Sequence, residues 1–279
     1  MMLRRIYNQH MLCSVPSYMS ISKFSTESEK HFVTEDKTQI AHFNNLKNKW
    51  WNENGDMKPL HSMNKLRIPL IRDGLINTMM VDKKFVNTSK PLQNLQILEV
   101  GSGGGILCEP LVRLGSVATG IDPAADMIEV AREHSKLDPT LASVTYIVDN
   151  IENHSKNNIG KYDAVIASEV LEHVNSKDVF LDACVKCLKP KGSIFITTLN
   201  QTIFTWVFGI LLGENILNLV PKGSHEWEKL VQPHQVQRIL EDCNCRTRTI
   251  HGMRYNFLTN KWSWITDTSI SYALHAVKN

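Results

Sequence analysis

The chain predicts an α/β fold: a mostly parallel, twisted, Rossmann-like sheet with helices on both faces, a helical N-terminal cap and an apolar helical insertion. Three observations predict it. Between Gln96 and about Leu199, short apolar runs rich in β-branched residues alternate with helical patterns, the signature of βα units. A glycine cluster, Gly101-Ser102-Gly103-Gly104-Gly105, leads straight from the first run into a helical pattern. Polar ends close the next two runs, Asp122 on one and Asp149-Asn150 on the other.

The predicted strands are, in order, Ile97 to Val100, Val117 to Ile121, Val144 to Val148, Tyr162 to Ala167 and Ser193 to Thr198. Between them fall helices at about Ile106 to Leu114, Ala124 to Lys136 and Lys177 to Leu188, whose apolar faces would cover the sheet. A further helix, Pro233 to Asp242, leads into the runs Arg246 to Arg254 and Ile270 to Val277, which would add edge strands. Residues 40 to 80 precede the first strand and predict a helical cap, and 201 to 229 interrupts the rhythm after the fifth. The expected organisation is a presequence over 1–28, a cap over 29–90, and the α/β domain over 91–279 that carries the insertion 201–229.

The first 25 residues contain Arg4, Arg5, Lys23 and several serines, and the first acid is Glu27, a mitochondrial presequence pattern. A disordered tail is the competing reading. In a reducing matrix the remaining cysteines are expected as thiols. Cys184, Cys187, Cys243 and Cys245 form a CxxC and a CxC pair, but the first two fall in a helical pattern where small buried residues are ordinary, which argues against zinc. The net charge of +3 and the lack of a dense basic stripe exclude nucleic acid as the expected partner and favour a small molecule.

At the glycine cluster the spacing is GxGxG, whereas the dinucleotide fingerprint GxGxxG would need glycine at Ile106. Glycines there let the backbone turn sharply and approach a ligand. Asp122 follows Gly101 by 21 positions, where its carboxylate would accept both ribose hydroxyls of a nucleoside. Asp149 stands where it would hydrogen-bond an adenine amino group. Either acid alone reads equally as a strand-end cap, but three marks at successive strand ends converge on the crevice where open sheets bind ligands.

With these residues the chain resembles the class I methyltransferase family, and within it the ubiquinone-biosynthesis O-methyltransferases. The resemblance rests on Trp50-Trp51 followed by Leu60-His61-Ser62-Met63-Asn64-Lys65-Leu66-Arg67, on the Leu98 to Gly105 loop, on Ala167-Ser168-Glu169-Val170-Leu171-Glu172-His173-Val174, and on Val220-Pro221-Lys222-Gly223-Ser224-His225. It implies S-adenosylmethionine as cofactor, held by Arg67, Gly101, Asp122 and Ser168. A guanidinium fork at Arg67 would suit the cofactor's carboxylate. Glu99 and Ser102 stand where the family more often has Asp and Cys, and Asn52 where it has Asp.

Glu169, Glu172 and His173 are spaced i, i+3 and i+4, so a helical turn would present two carboxylates and an imidazole on one face. Such a set suits a divalent cation, and the resemblance implies Mg²⁺; the chemistry alone admits Mn²⁺, Zn²⁺ or Fe²⁺. The competing reading is a solvated first turn whose acids complement a helix dipole. With a metal, these three are the expected catalytic residues, acidifying a catechol hydroxyl for attack on the sulfonium methyl. Lys222 and His225 are candidate phenol contacts, or simply a lipid-phosphate contact and a helix cap.

Ile203 to Val220 is strongly apolar but broken by Glu214 and Asn215, too short to span a bilayer and suited to lie in a membrane interface, with a buried core helix as the competing reading. The resemblance implies a polyprenylated catechol substrate, membrane lipid as a partner, a multi-protein ubiquinone-synthesis complex, and a peripheral place on the matrix side of the mitochondrial inner membrane. Methylation of another lipid or phenol, and a noncatalytic assembly subunit, are the alternatives; complete cofactor residues speak against the second.

Overall fold

A computed structural model describes residues 50–202 and 230–279. The expected presequence, part of the expected cap, and the insertion from residue 203 onward, with Lys222 and His225, lie outside the described residues.

One helix, α1 (Lys58–Asn77), precedes the sheet. Then β1 (Gln96–Val100), α2 (Cys108–Arg113), β2 (Val117–Asp122), α3 (Ala125–Ser135), β3 (Val144–Val148), α4 (Ile151–Asn157), β4 (Tyr162–Ser168), α5 (Lys177–Cys187) and β5 (Leu188–Leu199) follow in alternation. After residue 230 come α6 (Pro233–Asp242), β6 (Cys245–Asn256), β7 (Lys261–Ile265) and β8 (Ser271–Lys278). The eight strands lie in the order β3-β2-β1-β4-β5-β8-β6-β7. The first five are parallel, and β8, β6 and β7 join antiparallel beyond β5. The order reverses at β1, which has β2 on one side and β4 on the other, and this is where a crevice opens above the strand ends.

Alternation along the strands divides the core. Ile97, Ala164, Ile166 and Phe195 face one side, where they pack with Ile71 and Leu75 of α1 and Leu111 of α2. Their neighbours Leu98, Val165, Ala167, Ile194 and Ile196 face the other, against Phe180 and Leu181 of α5 and Val236 and Leu240 of α6. A period of two along each strand leaves no other arrangement for runs that are apolar throughout. α1 comes close to the sheet at Gly74, where a Cβ would stand 2.6 Å from Phe195, and the Phe195 ring stacks on His275 with centroids 4.3 Å apart.

One expectation is corrected. Neither the run at Arg246 to Arg254 nor the run at Ile270 to Val277 is an edge strand, because β8 lies between β5 and β6, β6 lies between β8 and β7, and the sheet ends at β7. β7 itself has no hairpin glycine to announce it; its turn is built by Asn256, whose Oδ1 accepts from the N–H groups of Leu258 and Thr259, and by Asn260 in the left-handed region at φ 49°. α4 is polar apart from Ile151 and forms because Asn150 caps it, accepting from Asn153 N.

Phe195→Ala should destabilise the protein by about 3–5 kcal/mol in urea unfolding, since a ring that is 1% exposed leaves a cavity between α1 and the sheet. A loss under about 1 kcal/mol would mean that α1 does not pack there as described.

Candidate functional site

The glycine bend is held from two directions. Gly101 N and Ser102 N both donate to Ile121 O, at 2.8 and 3.0 Å, which ties the bend to the end of β2. The Asp122 carboxylate does the rest: Oδ2 accepts from Gly103 N and Oδ1 from Ala124 N, each at 2.8 Å. One side chain therefore fixes both the bend and the start of α3. Each carboxylate oxygen keeps a further lone pair, so the ribose role expected of Asp122 is chemically open. Burial pushes its carboxyl up, and the two backbone donors oppose that. Gly101 and Gly105 adopt φ of 72° and 89°, a region that an L side chain rarely enters.

The cap residues close over this bend. Trp51 Nε1 donates to Gly104 O at 3.0 Å, and its ring stacks on His134 with centroids 3.4 Å apart. His134 in turn reaches the buried Glu109 at 2.7 Å, which also takes Arg113 at 3.1 Å. Trp50 covers the other side of the bend, 6% exposed.

Arg67 is the charged centre of the site. It is 5% exposed, and its guanidinium donates to Asn64 Oδ1, to Leu60 O at 2.9 Å and to Ser168 Oγ at 2.9 Å. Asn64 is itself fixed, donating Nδ2 to Ile106 O at 2.8 Å. Among the described residues no carboxylate forms an ion pair with Arg67. A buried guanidinium held only by neutral groups is costly and invites an anion, and an amino-acid carboxylate fits its fork. Glu99 lies near enough to act on Arg67 electrostatically. Burial raises the Glu99 carboxyl to about 7, against an opposing contact with Cys108 and the charge of Arg67. Its Oε2 has no hydrogen-bond donor among the described residues. Arg67 and Glu99 together are thus matched to the two charges of a zwitterionic amino-acid moiety.

The acidic turn departs from the expected helix. Glu169 sits at φ 57°, a strained value for a residue with a side chain, and only Leu171–His173 form a short 3₁₀ turn. Glu169 Oε1 accepts from Thr197 Oγ1 at 2.8 Å, whereas Glu172 Oε2 accepts from Thr198 Oγ1 at 2.7 Å. Thr197 and Thr198 are neighbours on β5, so they point to opposite faces and place the two acids on either side of the sheet's end. The triad is therefore not brought together: among the described residues, no three His, Cys, Asp or Glu side chains are disposed to hold a metal ion. Glu169 and Glu172 still feel each other. Burial and then the charge of Glu172 raise Glu169 to about 7, and burial also raises Glu172.

Ser168 links the two halves. Thr197 has one hydroxyl proton and gives it to Glu169, so in the 2.7 Å contact between Ser168 and Thr197 the serine must donate. The result is a one-way chain from Arg67 through Ser168 and Thr197 to Glu169. Asp149 lies at the end of β3, supported by His154, whose Nδ1 is 3.3 Å from Oδ2 and whose Nε2 is 2.9 Å from the Tyr162 hydroxyl. Burial holds His154 below the usual histidine range, which keeps it neutral. The structure thus gathers Arg67, Gly101, Asp122, Ser168 and Glu169 around one crevice. Asn64, Thr197, Thr198 and His154 were not legible as site residues, because each acts only by orienting another group.

A methyltransferase domain model matches residues 98–196. The chain is 45% identical to the mitochondrial ubiquinone biosynthesis O-methyltransferase of Rattus norvegicus over 246 residues, covering 88% of this chain and 70% of the rat protein. Identity to the Homo sapiens protein of the same name is 44%, and the chain spans 66% of that protein's length. The ubiquinone biosynthesis O-methyltransferase of Pelagibacter ubique is 38% identical over 248 residues, 98% of its length. In fold, the chain is similar to magnesium protoporphyrin IX methyltransferase from Synechocystis with bound SAH, at a TM-score of 0.59 and 19% identity, covering 88% of this chain and 100% of that one.

Arg67→Met should weaken S-adenosylmethionine binding by about 1.5–3 kcal/mol, roughly 10- to 150-fold in calorimetry; unchanged affinity would remove Arg67 from the site. The Glu99 carboxyl is raised, so the folded protein holds an extra proton between about pH 4.5 and 7, and stability from this group is lost as pH rises through that window. Replacing it, Glu99→Gln, should flatten that part of a stability-pH profile measured by urea unfolding.

Proposed function

The chain belongs to the ubiquinone biosynthesis O-methyltransferase family, S-adenosylmethionine-dependent enzymes, and from that premise we propose that it methylates a catechol-type hydroxyl on a polyprenylated ring, a polyprenyl dihydroxybenzoate or a demethylubiquinol. The observation that carries this reading is the chain of hydrogen bonds from Arg67 to Glu169. It joins the group matched to the cofactor's carboxylate with an acid whose carboxyl is raised to about 7.

In the proposed reaction the glycine bend, Asp122 and Arg67 hold the cofactor, with Asp149 toward the adenine. The phenolic oxygen attacks the methyl carbon in line as the sulfur–methyl bond breaks, and neutral S-adenosylhomocysteine leaves. The phenolic proton must go to a base. A carboxylate near neutrality suits that task, and Glu169, aimed by Thr197, is the one the geometry offers. A magnesium ion, if the family's metal binds here, would be held by Glu169 and Glu172, whose repulsion it would offset, and would make a bound catechol hydroxyl more acidic. We further propose a mitochondrial location, matching the names of the eukaryotic relatives, at the matrix face of the inner membrane within a complex of ubiquinone-synthesis proteins. Among the described residues no helix is long and apolar enough to cross a membrane.

The test is methyl transfer from labelled S-adenosylmethionine to a short-tailed 3,4-dihydroxybenzoate by the purified full-length protein. Glu169→Gln should lower turnover by about 10²- to 10⁴-fold while cofactor affinity stays within a few-fold. Wild-type turnover in this variant would sink the assignment of Glu169, and binding of Mn²⁺ by the wild type but not by the Glu169→Gln/Glu172→Gln variant, read by electron paramagnetic resonance, would establish the acid pair as a metal site.

A further inference from the structure

The last hairpin of the sheet carries a surface that methyl transfer does not use. From Cys245 to Ile265 the chain holds Arg246, Arg248, Arg254 and Lys261 and no Asp or Glu. All four cations are exposed. At the turn, Phe257 and Leu258 are 60% and 82% exposed, and Trp264 on β7 is 38% exposed. The turn does not need these apolar side chains, because Asn256 and Asn260 provide its hydrogen bonds. Behind the tip, the rings of Tyr255 and Trp262 lie 5.0 Å apart and only partly buried.

From the tip inward come Phe257 and Leu258, then Lys261 paired with Asn256, then Tyr255 paired with Trp262, and then Arg254 paired with Ser263. Apolar side chains at the tip, with a snorkelling lysine, amphipathic rings and an arginine directly behind them, suit entry into the acyl boundary beneath a layer of lipid phosphates. We infer that this hairpin docks on an anionic lipid surface, with Phe257 and Leu258 in the acyl boundary and Arg254 and Lys261 against the phosphates. A protein partner fits less well, since a stable interface wants a broad apolar centre and this tip is narrow and ringed by like charge. The nearest following acid, Asp267, lies past the far end of β7 from the tip, two residues beyond Ile265, which pairs with Gly252.

The hairpin is fastened to the helix that carries Arg67. Trp262 Nε1 donates to Pro59 O at 2.9 Å, and Ser62 Oγ donates to Asn260 Oδ1 at 2.9 Å. Docking at the tip therefore holds the start of α1 near the lipid surface, from which a substrate with a long apolar tail would come. That link to substrate delivery rests on the proposed function, whereas the docking itself does not.

The test is cosedimentation of the full-length protein with vesicles of phosphatidylcholine, with and without phosphatidylglycerol. Two double variants carry it, Phe257→Ser/Leu258→Ser and Arg254→Gln/Lys261→Gln. Each should partition onto the anionic vesicles roughly tenfold less than the wild type or weaker still. Affinity for S-adenosylmethionine and turnover of a water-soluble catechol should be unchanged, and the wild type's preference for anionic vesicles should shrink at high salt. Wild-type sedimentation of either variant overturns the inference and leaves the hairpin to a protein partner. A partition loss accompanied by loss of cofactor affinity also overturns it, because binding would then follow the integrity of the fold. Absence of catechol turnover in the wild type would sink the proposed function and leave this inference to the vesicles alone.

Discussion

Everything at the site depends on a positive charge placed out of water without a carboxylate bonded to it. The Arg67 guanidinium is buried at the end of β4 and held by Asn64, a backbone carbonyl and Ser168. Neutral acceptors satisfy its N–H groups, while Glu99 and Glu169 act on its charge without bonding to it, so the site is organised for a ligand that brings an anion. Holding it there requires α1 to lie across the sheet, which Gly74 permits by letting the helix approach Phe195. The packing of the fold and the affinity of the crevice are in this sense one arrangement.

The sheet's alternation imposes the second constraint. Because Thr197 and Thr198 face opposite ways, Glu169 is drawn toward Arg67 and Glu172 toward α5 and Tyr272. The strained φ at Glu169 is what turns the chain between them. Two acids so placed differ in role: one joins the cofactor side of the crevice through Ser168 and Thr197, and the other lies beyond the strand ends. A regular helix would have made them equivalent.

The parallel half of the fold was legible because its signals are local. β-branched runs, the glycine cluster and the strand-end acids each fall within a few residues, and the five parallel strands were located to within a few residues, the largest difference being β5, which pairs from Leu188 rather than Ser193. The motifs that nominated Arg67, Gly101, Asp122 and Ser168 are local in the same way. The rest was hidden where three-dimensional placement decides. An i, i+3, i+4 spacing suggested one helical face, yet hydroxyls on β5 captured the acids separately. β8 reads as an edge strand until the chain returns to insert it beside β5. The basic character of the last hairpin went unseen because its cations are dispersed along the sequence and collect only when β6 and β7 pair.

The indole of Trp50 occupies the volume into which Gly104 would project a side chain, with its Cδ1 only 2.2 Å from where such a Cβ would stand. Ring and glycine are two halves of one filled space contributed by segments more than fifty residues apart. Descendants of this chain can enlarge position 104 only by first shrinking position 50, so a lineage that loses the tryptophan gains a freedom in the loop that its ancestors lacked, and the pair should drift through evolution in step.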